Sequence, residues 1–501
     1  METLENYFSK FRKNIIGIDA AFKSPYGIQK IIYADWIASG RLYGPIEDKI
    51  KNLFGPLVGN THSEASETGV SMTLAYHLAH KIIKEHVNAG KDDIIITAAS
   101  GMTGVVNKFQ RILGLRVPEQ AKTICSISEI PEEDKPVVFI THLEHHSNHT
   151  SWLETIADVV VIEPGQDLTV EPENLRKIIE KYKNRKLKIG SFSACSNVTG
   201  IMPPIYQLAR IMHENGGYCF VDFAASAPYV DMNMHPGDPM ERLDAIFFSP
   251  HKALGGPGSC GVLIFNSELY HNYSPDNPGG GTVSWTNRWG EFEYVSDIEA
   301  REDGGTPAFL QTFRAALTLK LKEDMGTTNI REREEELMRV IFERFEKIPG
   351  LHIFSGEQKH RLGVVSFYID NIHHNLIVKL LNDRFGIQVR GGCSCAGTYG
   401  HFLLNVDINT SHQITKLINM GDLSLKPGWV RISVHPTMTS EEVEIICVAM
   451  EKLVQHINDW KEDYYFDKKL GEFFHKKFPR KEEKDFKPWF EFDYSYNRYE
   501  S

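Results

Sequence analysis

Cysteine is scarce in this sequence, and long apolar runs are missing. The 501 residues include seven cysteines, an odd number without the spacing of a disulfide framework, which favours a reducing compartment. No apolar run approaches the roughly 20 residues that a membrane-spanning helix needs. The first 13 residues are polar and lack the apolar core of a signal peptide. We therefore predict a cytoplasmic protein with no membrane partner.

An excess of positive charge is also missing. The 55 Lys and Arg residues are outnumbered by 66 Asp and Glu residues, which gives a net charge of −11. Because nucleic-acid-binding domains carry basic patches and none dominates here, we expect no nucleic acid partner. With 42% hydrophobic and 24% charged residues, the composition is that of a globular protein with a sizeable core.

The order of apolar and amphipathic segments predicts an α/β fold. Seven short apolar runs have the length of buried strands, and helical patterns such as 173–183 and 205–214 lie between several of them. This alternation favours a mostly parallel, seven-stranded sheet with helices on both faces. The predicted strands are 94–97, 137–141, 159–162, 187–193, 218–222, 245–248 and 262–265.

Four regions are predicted along the chain. After about residue 305 the strand–helix alternation gives way to a long charged helix broken near Gly326, followed by a smaller α/β unit. The last 36 residues are charged and too aromatic to be classed as disordered. The predicted regions are an N-terminal arm (1–30), a large domain (31–305), a smaller C-terminal α/β domain (306–465) and a tail (466–501).

A lysine follows one of the predicted strands. Lys252 lies in the segment 247–258, at the carboxyl end of a strand, where open α/β sheets place their active sites. Burial disfavours the charged form of a lysine and makes it a nucleophilic amine. The glycines that follow allow a backbone to approach a ligand closely. A surface lysine in a glycine-rich loop is the alternative interpretation.

Two more strand ends carry polar groups. The turn Ser100-Gly101-Met102-Thr103 leads from a strand into a helix, where free N–H groups form an anion cradle, although many such turns carry Gly and Thr for geometry alone. Asp222 ends another strand. It is either a cap for a following helix or a counter-ion for a buried cationic nitrogen such as a protonated pyridine.

The segment 142–149 contains four histidines and Glu144. This composition is typical of a metal site, but its Thr, Ser and Asn residues favour a turn and no remote ligand set completes a site, so we predict no metal. A histidine ring stacked on a flat cofactor fits the end of a strand better. Asn197 follows a further strand and either donates to a ligand oxygen or shapes a turn.

A glycine-rich loop carries two thiols, Cys393 and Cys395, directly after Arg390. A nearby cation favours the thiolate, which is the reactive form of cysteine. A Cys-x-Cys pair also binds metals, but a second pair is missing. Arg431 lies on an apolar predicted strand, where its guanidinium suits either a substrate carboxylate or an internal salt bridge.

Over residues 31–455, and in this order, these segments resemble the class V aminotransferase family. That family has fold type I of the enzymes that depend on pyridoxal 5′-phosphate (PLP). The resemblance is strongest to cysteine desulfurases and selenocysteine lyases. It rests on Ser-Pro-His-Lys ending at Lys252, Glu-His-His-Ser-Asn around His145, Gly-Gly-Thr-Pro around Thr306 and the loop with Cys395.

The resemblance implies a role for each residue. Lys252 would form a Schiff base with PLP and move the substrate α-proton, and the Cys395 thiolate would take sulfur or selenium from a cysteine-like amino acid as a persulfide. Asp222 would pair with the pyridine nitrogen, and His145 would stack on the ring. The other implied cofactor contacts are Gly101, Met102, Thr103, Asn197, Ser249 and His251, and the implied substrate contacts are Arg431, Arg390 and Asn197.

The resemblance also implies partners. Thr306 matches a threonine that reaches the phosphate of the other subunit, which implies a homodimer with shared sites. A desulfurase would take an amino-acid substrate and pass its sulfur to an acceptor protein.

Three departures from the desulfurase pattern leave the reaction open. Ala225 stands where a glutamine is usual, the loop reads Cys-Ser-Cys, and about 398–428 is a longer insertion expected near the site. Relatives with this fold include other carbon–sulfur lyases, epimerases, aminotransferases and molybdenum-cofactor sulfurases, so another PLP-dependent reaction is the alternative. A thiol- or metal-binding protein without catalysis is a third hypothesis.

Overall fold

A seven-stranded sheet lies at the centre of the larger part of the molecule. The computed structural model describes residues 2–61, 65–98, 101–124 and 130–492. The strands lie side by side in the order β3–β2–β4–β5–β6–β7–β1. β7 is antiparallel to both of its neighbours and the other neighbouring pairs are parallel, which confirms the predicted sheet. The strands are β1 (Asp93–Ala98), β2 (Val137–Thr141), β3 (Asp158–Ile162), β4 (Lys188–Ser193), β5 (Tyr218–Asp222), β6 (Ala245–Phe248) and β7 (Gly261–Asn266).

Both faces of this sheet are buried. In β2, Val137 and Phe139 belong to one apolar core, and Val138 and Ile140 belong to the core on the opposite face. Because helices cover both faces, the strands are continuous apolar runs without polar alternation. The helices of this part are Gly44–Asp48, Glu67–His86, Met102–Ile112, Glu119–Ile124, His146–Leu153, Pro172–Ile179, Ile205–Glu214 and Ile298–Glu302, with a surface hairpin of Val283–Thr286 and Phe292–Tyr294.

The direction of the parallel strands gathers their carboxyl ends at one edge of the sheet. Thr141, Ser193, Asp222 and Phe248 end β2, β4, β5 and β6, which are consecutive neighbours in the sheet. The polar segments that follow each strand therefore meet at this edge, as expected for an open α/β sheet.

An antiparallel sheet of four strands forms the core of the smaller part, in the order β8–β9–β11–β10. The predicted long helix is two helices separated at Gly326, whose φ of +74° is the left-handed backbone that glycine tolerates. The strands are β8 (Leu351–Ile353), β9 (Val364–Ile369), β10 (Arg390–Gly392) and β11 (Trp429–Ser433), and the helices are Thr327–Phe345, His374–Phe385 and Ser440–Trp460. The preceding helix, Phe309–Met325, packs against Glu67–His86 of the larger part.

The N-terminal arm is fastened to this smaller sheet. Its helix, Leu4–Arg12, buries Phe8 and Phe11 in the same apolar core as β9 and β11. Arg12 makes a two-pronged ion pair with Glu442, in which both N–O distances are 2.8 Å. The hairpin Ala21–Ser24 and Gly27–Lys30 follows, and Ile32–Tyr33 then pairs in parallel with Ile387–Gln388.

The insertion and the tail are both folded in the described range. The insertion contains the helices Gly397–Leu403 and Ile408–Asn419. The tail begins within a hairpin, Tyr464–Asp467 and Glu472–His475, and continues to a 3₁₀ helix, Glu483–Phe490. None of the helices in the described ranges combines the length and apolar composition of a membrane span.

Candidate active site

A cavity of about 210 Å³ opens where the carboxyl ends of β4, β5 and β6 meet the smaller sheet. Eleven of the thirteen predicted site residues line it, and Cys395 and Thr306 do not. The eleven are Gly101, Met102, Thr103, His145, Asn197, Asp222, Ser249, His251, Lys252, Arg390 and Arg431.

Lys252 lies in this cavity on a single 3₁₀ turn, Pro250–Lys252, directly after β6. Burial lowers the pKa of Lys252, and the nearby guanidinium groups of Arg431 and Arg390 lower it further, while Asp222 opposes the shift. The lowered pKa favours the neutral amine, which is the nucleophilic form. The structure therefore excludes the alternative of a surface lysine.

The glycines after Lys252 serve the fold of the loop. A Cβ atom at Gly256 would lie 1.9 Å from the carbonyl oxygen of Pro250, so only glycine lets the loop close on itself. The expectation that these glycines bring backbone close to a ligand is wrong for Gly256, because its neighbour is the chain itself.

Asp222 caps a turn, where a helix was one expectation, and it is also part of the cavity wall. Its Oδ1 accepts the N–H of Ala224 at 2.8 Å, which caps the turn after β5, and its carboxyl group also lines the cavity. Burial raises the pKa of Asp222 to about 7, although this N–H and Lys252 favour the carboxylate. A cationic group placed against Asp222 would restore its charge.

His145 is the one histidine of its segment that lines the cavity. Its Nδ1 accepts the N–H of Ser147 at 3.1 Å, and burial, helped by the charge of Lys252, lowers its pKa to about 3. The ring is therefore neutral, and it forms part of the cavity wall.

The other histidines of the segment contact different groups. His146 Nε2 accepts the N–H of Gly397 at 2.9 Å, and His142 Nε2 lies 3.0 Å from the carbonyl oxygen of Leu168. Within the described ranges, the structure contains no group of three His, Cys, Asp or Glu residues suited to a metal ion.

Glu144 is a buried link between segments, which the sequence analysis missed. Its carboxylate accepts hydrogen bonds from Thr141 Oγ1 (2.7 Å), Asn148 Nδ2 (2.7 Å) and Ser193 Oγ (2.6 Å). These donors join the ends of β2 and β4 to the helix His146–Leu153, and so they position His145. The sequence feature that could have indicated this role is an acid that lies among hydroxyl and amide side chains in a predicted turn.

The start of the helix Met102–Ile112 forms a cradle at one end of the cavity. Gly101 has a φ of +101°, and a Cβ atom there would lie 2.8 Å from His251 Cε1 and 3.0 Å from Ser249 Oγ. Ser249 Oγ accepts the N–H of Met102 at 2.8 Å. The remaining free N–H groups and the helix dipole favour an anion at this point. Ser100, which was predicted for the same turn, lies outside the described residues.

Arg431 is held by an acid that the sequence analysis did not identify. Its Nη2 lies 2.7 Å from Asp35 Oδ1 and its Nη1 donates to the carbonyl oxygen of Asn197 at 3.1 Å. The internal salt bridge, one of two interpretations, is therefore present. Two buried atoms of this wall have no hydrogen-bond partner in the described structure, Arg431 Nε and Asn197 Oδ1. Asp35 follows the short strand Ile32–Tyr33, and this position is the only sequence feature that could have indicated its role.

Cys395 lies beyond Arg390, outside the cavity that contains Lys252. Ser394 and Cys395 both adopt left-handed backbone, with φ of +52° and +57°. Asn197 Nδ2 donates to the carbonyl oxygen of Ser394 at 2.8 Å, and Arg390 Nη2 lies 3.9 Å from Cys395 Sγ. Cys395 opens to a second cavity of about 280 Å³, and Arg390 lines both cavities.

Two further residues depart from the list of predicted site residues. Thr306 is exposed, and its Oγ1 donates to Asn60 Oδ1 at 3.3 Å, away from the cavity of its own chain. Cys195, which was not predicted, lines the cavity and is buried, and burial strongly raises the pKa of its thiol.

The family model described as Aminotransferase class-V matches residues 32–446. The chain belongs to the class V aminotransferase family. Among curated relatives, a probable cysteine desulfurase from Halalkalibacterium halodurans is 26% identical over 374 residues, which cover 73% of this chain and 84% of the relative. A cysteine desulfurase from Haloferax volcanii is 26% identical over 373 residues, which cover 73% and 80%.

Solved structures show the class V fold independently. The apo cysteine desulfurase from Thermococcus onnurineus NA1 has a TM-score of 0.70 at 22% identity, and the match covers 89% of this chain and 98% of that one. A cysteine desulfurase from Escherichia coli gives 0.67 at 22% identity with the same coverage. The chain is thus a class V enzyme similar to cysteine desulfurases.

Class V enzymes are PLP-dependent in general, and this cavity fits that cofactor. The cradle at Gly101 suits a phosphate. Only glycine fits at this position, because any side chain would meet His251 and Ser249. Burial raises the pKa of Asp222, and the positive charge of a protonated pyridine nitrogen would stabilise its carboxylate. The neutral ring of His145 and the amine of Lys252 complete a set of groups that matches PLP.

Proposed function

We propose that this chain is a PLP-dependent cysteine desulfurase, similar also to selenocysteine lyases, that removes sulfur or selenium from a cysteine-like amino acid. The observation that carries the proposal is the convergence of Lys252, Asp222 and two guanidinium groups on one cavity, with Cys395 across Arg390. Curated relatives named as cysteine desulfurases support the same reaction.

The residues that would hold PLP are the polar groups of the cavity wall. Gly101, Met102 and Thr103 would bind the phosphate through the helix start, with Ser249 and His251 beside them. Asp222 would pair with the ring nitrogen and His145 would lie against the ring. When bound, PLP withdraws electrons from the substrate α-carbon.

Lys252 would act as both base and acid. Its lowered pKa favours the neutral amine, which can take the α-proton and later return it. The substrate carboxylate would bind Arg390 and the unpartnered Nε of Arg431, and Asn197 Oδ1 would accept a hydrogen bond from the substrate.

The sulfur step would belong to Cys395. Its thiolate attacks the substrate sulfur, an S–S bond forms, and the substrate carbon–sulfur bond breaks. The bond electrons stay with the carbon skeleton, which takes up a proton and leaves as alanine. Because Cys395 lies beyond Arg390, we expect its loop to move toward Lys252 during this step.

The proposal extends to a cytoplasmic homodimer. Thr306 is exposed and does not line the cavity of its own chain, as expected of a residue that serves the partner's site. Leu74 and Leu78 are 62% and 56% exposed on the helix Glu67–His86, and such apolar side chains favour contact with another subunit.

The test is incubation of the holoenzyme with cysteine or selenocysteine and dithiothreitol. We expect sulfide or selenide and an equal amount of alanine. Cys395→Ala should abolish both products while it retains the visible absorbance of bound PLP, and Lys252→Ala should lose both activity and the native absorbance. Absence of sulfide and selenide with every thiol or selenol amino acid would overturn the proposal.

A second candidate is a class V enzyme that does not use the thiol, such as a carbon–sulfur lyase for larger conjugates, an epimerase or an aminotransferase. The position of Cys395 outside the cavity favours it. In that case Cys395→Ala would keep full activity. A protein without any PLP absorbance would favour the third hypothesis, a non-catalytic thiol- or metal-binding protein.

A further inference from the structure

A second cavity, of about 280 Å³, lies on the outer side of the cysteine loop. Arg390, Cys393, Ser394 and Cys395 form its inner wall. Because Arg390 and Ser394 also line the cavity of Lys252, these two residues form a common wall between the two cavities.

The outer walls come from the insertion and the C-terminal hairpin, which the proposed function leaves without a role. Leu423, Lys426 and Pro427 form one wall, and Leu470, Gly471 and Glu472 form the other. The two walls are joined to each other and to the rest of the protein. The N–H of Leu423 donates to the carbonyl oxygen of Lys468 at 2.9 Å. Asn375 Nδ2 donates to the carbonyl oxygen of Gly471 at 2.7 Å.

The charge in this second cavity is positive. Arg390 and Lys426 are exposed cations without a carboxylate partner in the described part of the chain. Glu472 is the one acid among the described lining residues. Burial lowers the pKa of His373 and lowers that of His374 to about 3, so both rings are neutral at pH 7. With two cations and one acid, the lining has a net positive charge, which attracts anions toward Cys395.

We propose that the second cavity binds a small anionic thiol, one that carries a carboxylate or sulfonate, as the acceptor of sulfur from Cys395. Its volume lies just below the range of about 300–1,000 Å³ that drug-sized ligands fill, so it suits a small molecule better than the surface of a folded protein. The inference rests on the proposed function, because the sulfur must first reach Cys395.

The transfer step needs no further reactant. The thiolate of the acceptor attacks the outer sulfur of the Cys395 persulfide, a new S–S bond forms, and the S–S bond to Cys395 breaks. The outer sulfur keeps its proton and leaves on the acceptor as a small persulfide. Cys395 departs as a thiolate, which Arg390, 3.9 Å away, stabilises.

The first experiment measures the charge preference of the cavity without any catalytic turnover. The holoenzyme with Cys393→Ser is labelled by anionic (sulfonatoethyl) and cationic (trimethylammonioethyl) methanethiosulfonates, and modification of Cys395 is followed by peptide mass spectrometry. We expect the anionic reagent to react faster, and Lys426→Glu to reduce its advantage by about fivefold. The matched control is Lys416→Glu, an exposed residue of the same insertion that does not line the cavity.

The second experiment measures the transfer itself. Enzyme loaded with the Cys395 persulfide is mixed with 2-mercaptoethanesulfonate, 2-mercaptoethanol or cysteamine, and loss of the persulfide is timed. We expect the anionic thiol to be fastest and Lys426→Glu to remove its lead.

Each contrary result separates the two proposals. Equal labelling by both reagents, or no effect of Lys426→Glu, overturns the anion site and leaves the proposed function intact. Equal transfer to all three thiols despite selective labelling overturns the acceptor role, as does a persulfide that none of the three thiols removes. Failure to load any persulfide from cysteine counts against the proposed function instead.

Discussion

Removal of the Asp35 carboxylate should destabilise the fold far more than removal of a similar acid at the surface. Arg431 is 2% exposed, and Asp35 is the one carboxylate that the structure describes in contact with it. Asp35→Ala leaves a buried guanidinium without its counter-ion, a loss that typically costs about 3–5 kcal/mol. We expect the lower part of that range, because the carbonyl oxygen of Asn197 still accepts one N–H.

The assay is urea unfolding of the cofactor-free protein, with Asp19→Ala as the matched control. Asp19 also pairs with a cation at 2.7 Å, but its side chain is 81% exposed, so its removal should leave the unfolding midpoint unchanged. A substrate-like carboxylate such as alanine should then raise the midpoint of Asp35→Ala more than that of the wild type, since it replaces the missing charge. Equal midpoints for the two variants would refute the argument that Arg431 depends on Asp35.

Two further predictions concern the cofactor cavity. Gly101→Ala should weaken PLP binding, read from cofactor absorbance, by more than tenfold, because its Cβ meets His251 and Ser249. Gly114→Ala, at another positive φ (+69°) but with no atom within 4 Å of the new Cβ, should leave PLP binding unchanged. Burial gives Asp222 a folded pKa of about 7 against 3.8 unfolded, so the folded state holds the proton more tightly, and the free energy of unfolding of the cofactor-free protein should fall as the pH rises from about 4 to about 7. Asp222→Asn should remove that component; an unchanged pH profile would contradict the assigned burial of this acid.

The sheet and most of the cavity were predictable because both depend on local patterns. The strands are buried on both faces, so each is a continuous apolar run, and parallel strands necessarily bring their polar ends together. This is why Asp222, Lys252 and Asn197 were found from their positions after strands. Motifs of the family supplied further lining residues, such as Ser249 and His251.

What the sequence could not show depends on contacts between distant residues. Asp35 and Arg431 are 396 positions apart, and no local pattern links an acid after a short strand with an arginine on another. The position of Cys395 depends on two successive left-handed residues, for which Ser and Cys carry no signal. The links from Glu144 to β2 and β4 likewise exist only once the two strands lie side by side.

The ion pair between Arg12 and Glu442 has a consequence for biosynthesis. These residues are 430 positions apart, and the helix that carries Arg12 supplies Phe8 and Phe11 to a core whose other members lie largely between Leu321 and Tyr464. At about 5–20 residues per second, the ribosome needs roughly 20 to 90 seconds to supply the partner of a helix that emerged first. During this interval the amphipathic leading helix has no native surface to cover, which makes it a natural target for chaperones on the nascent chain.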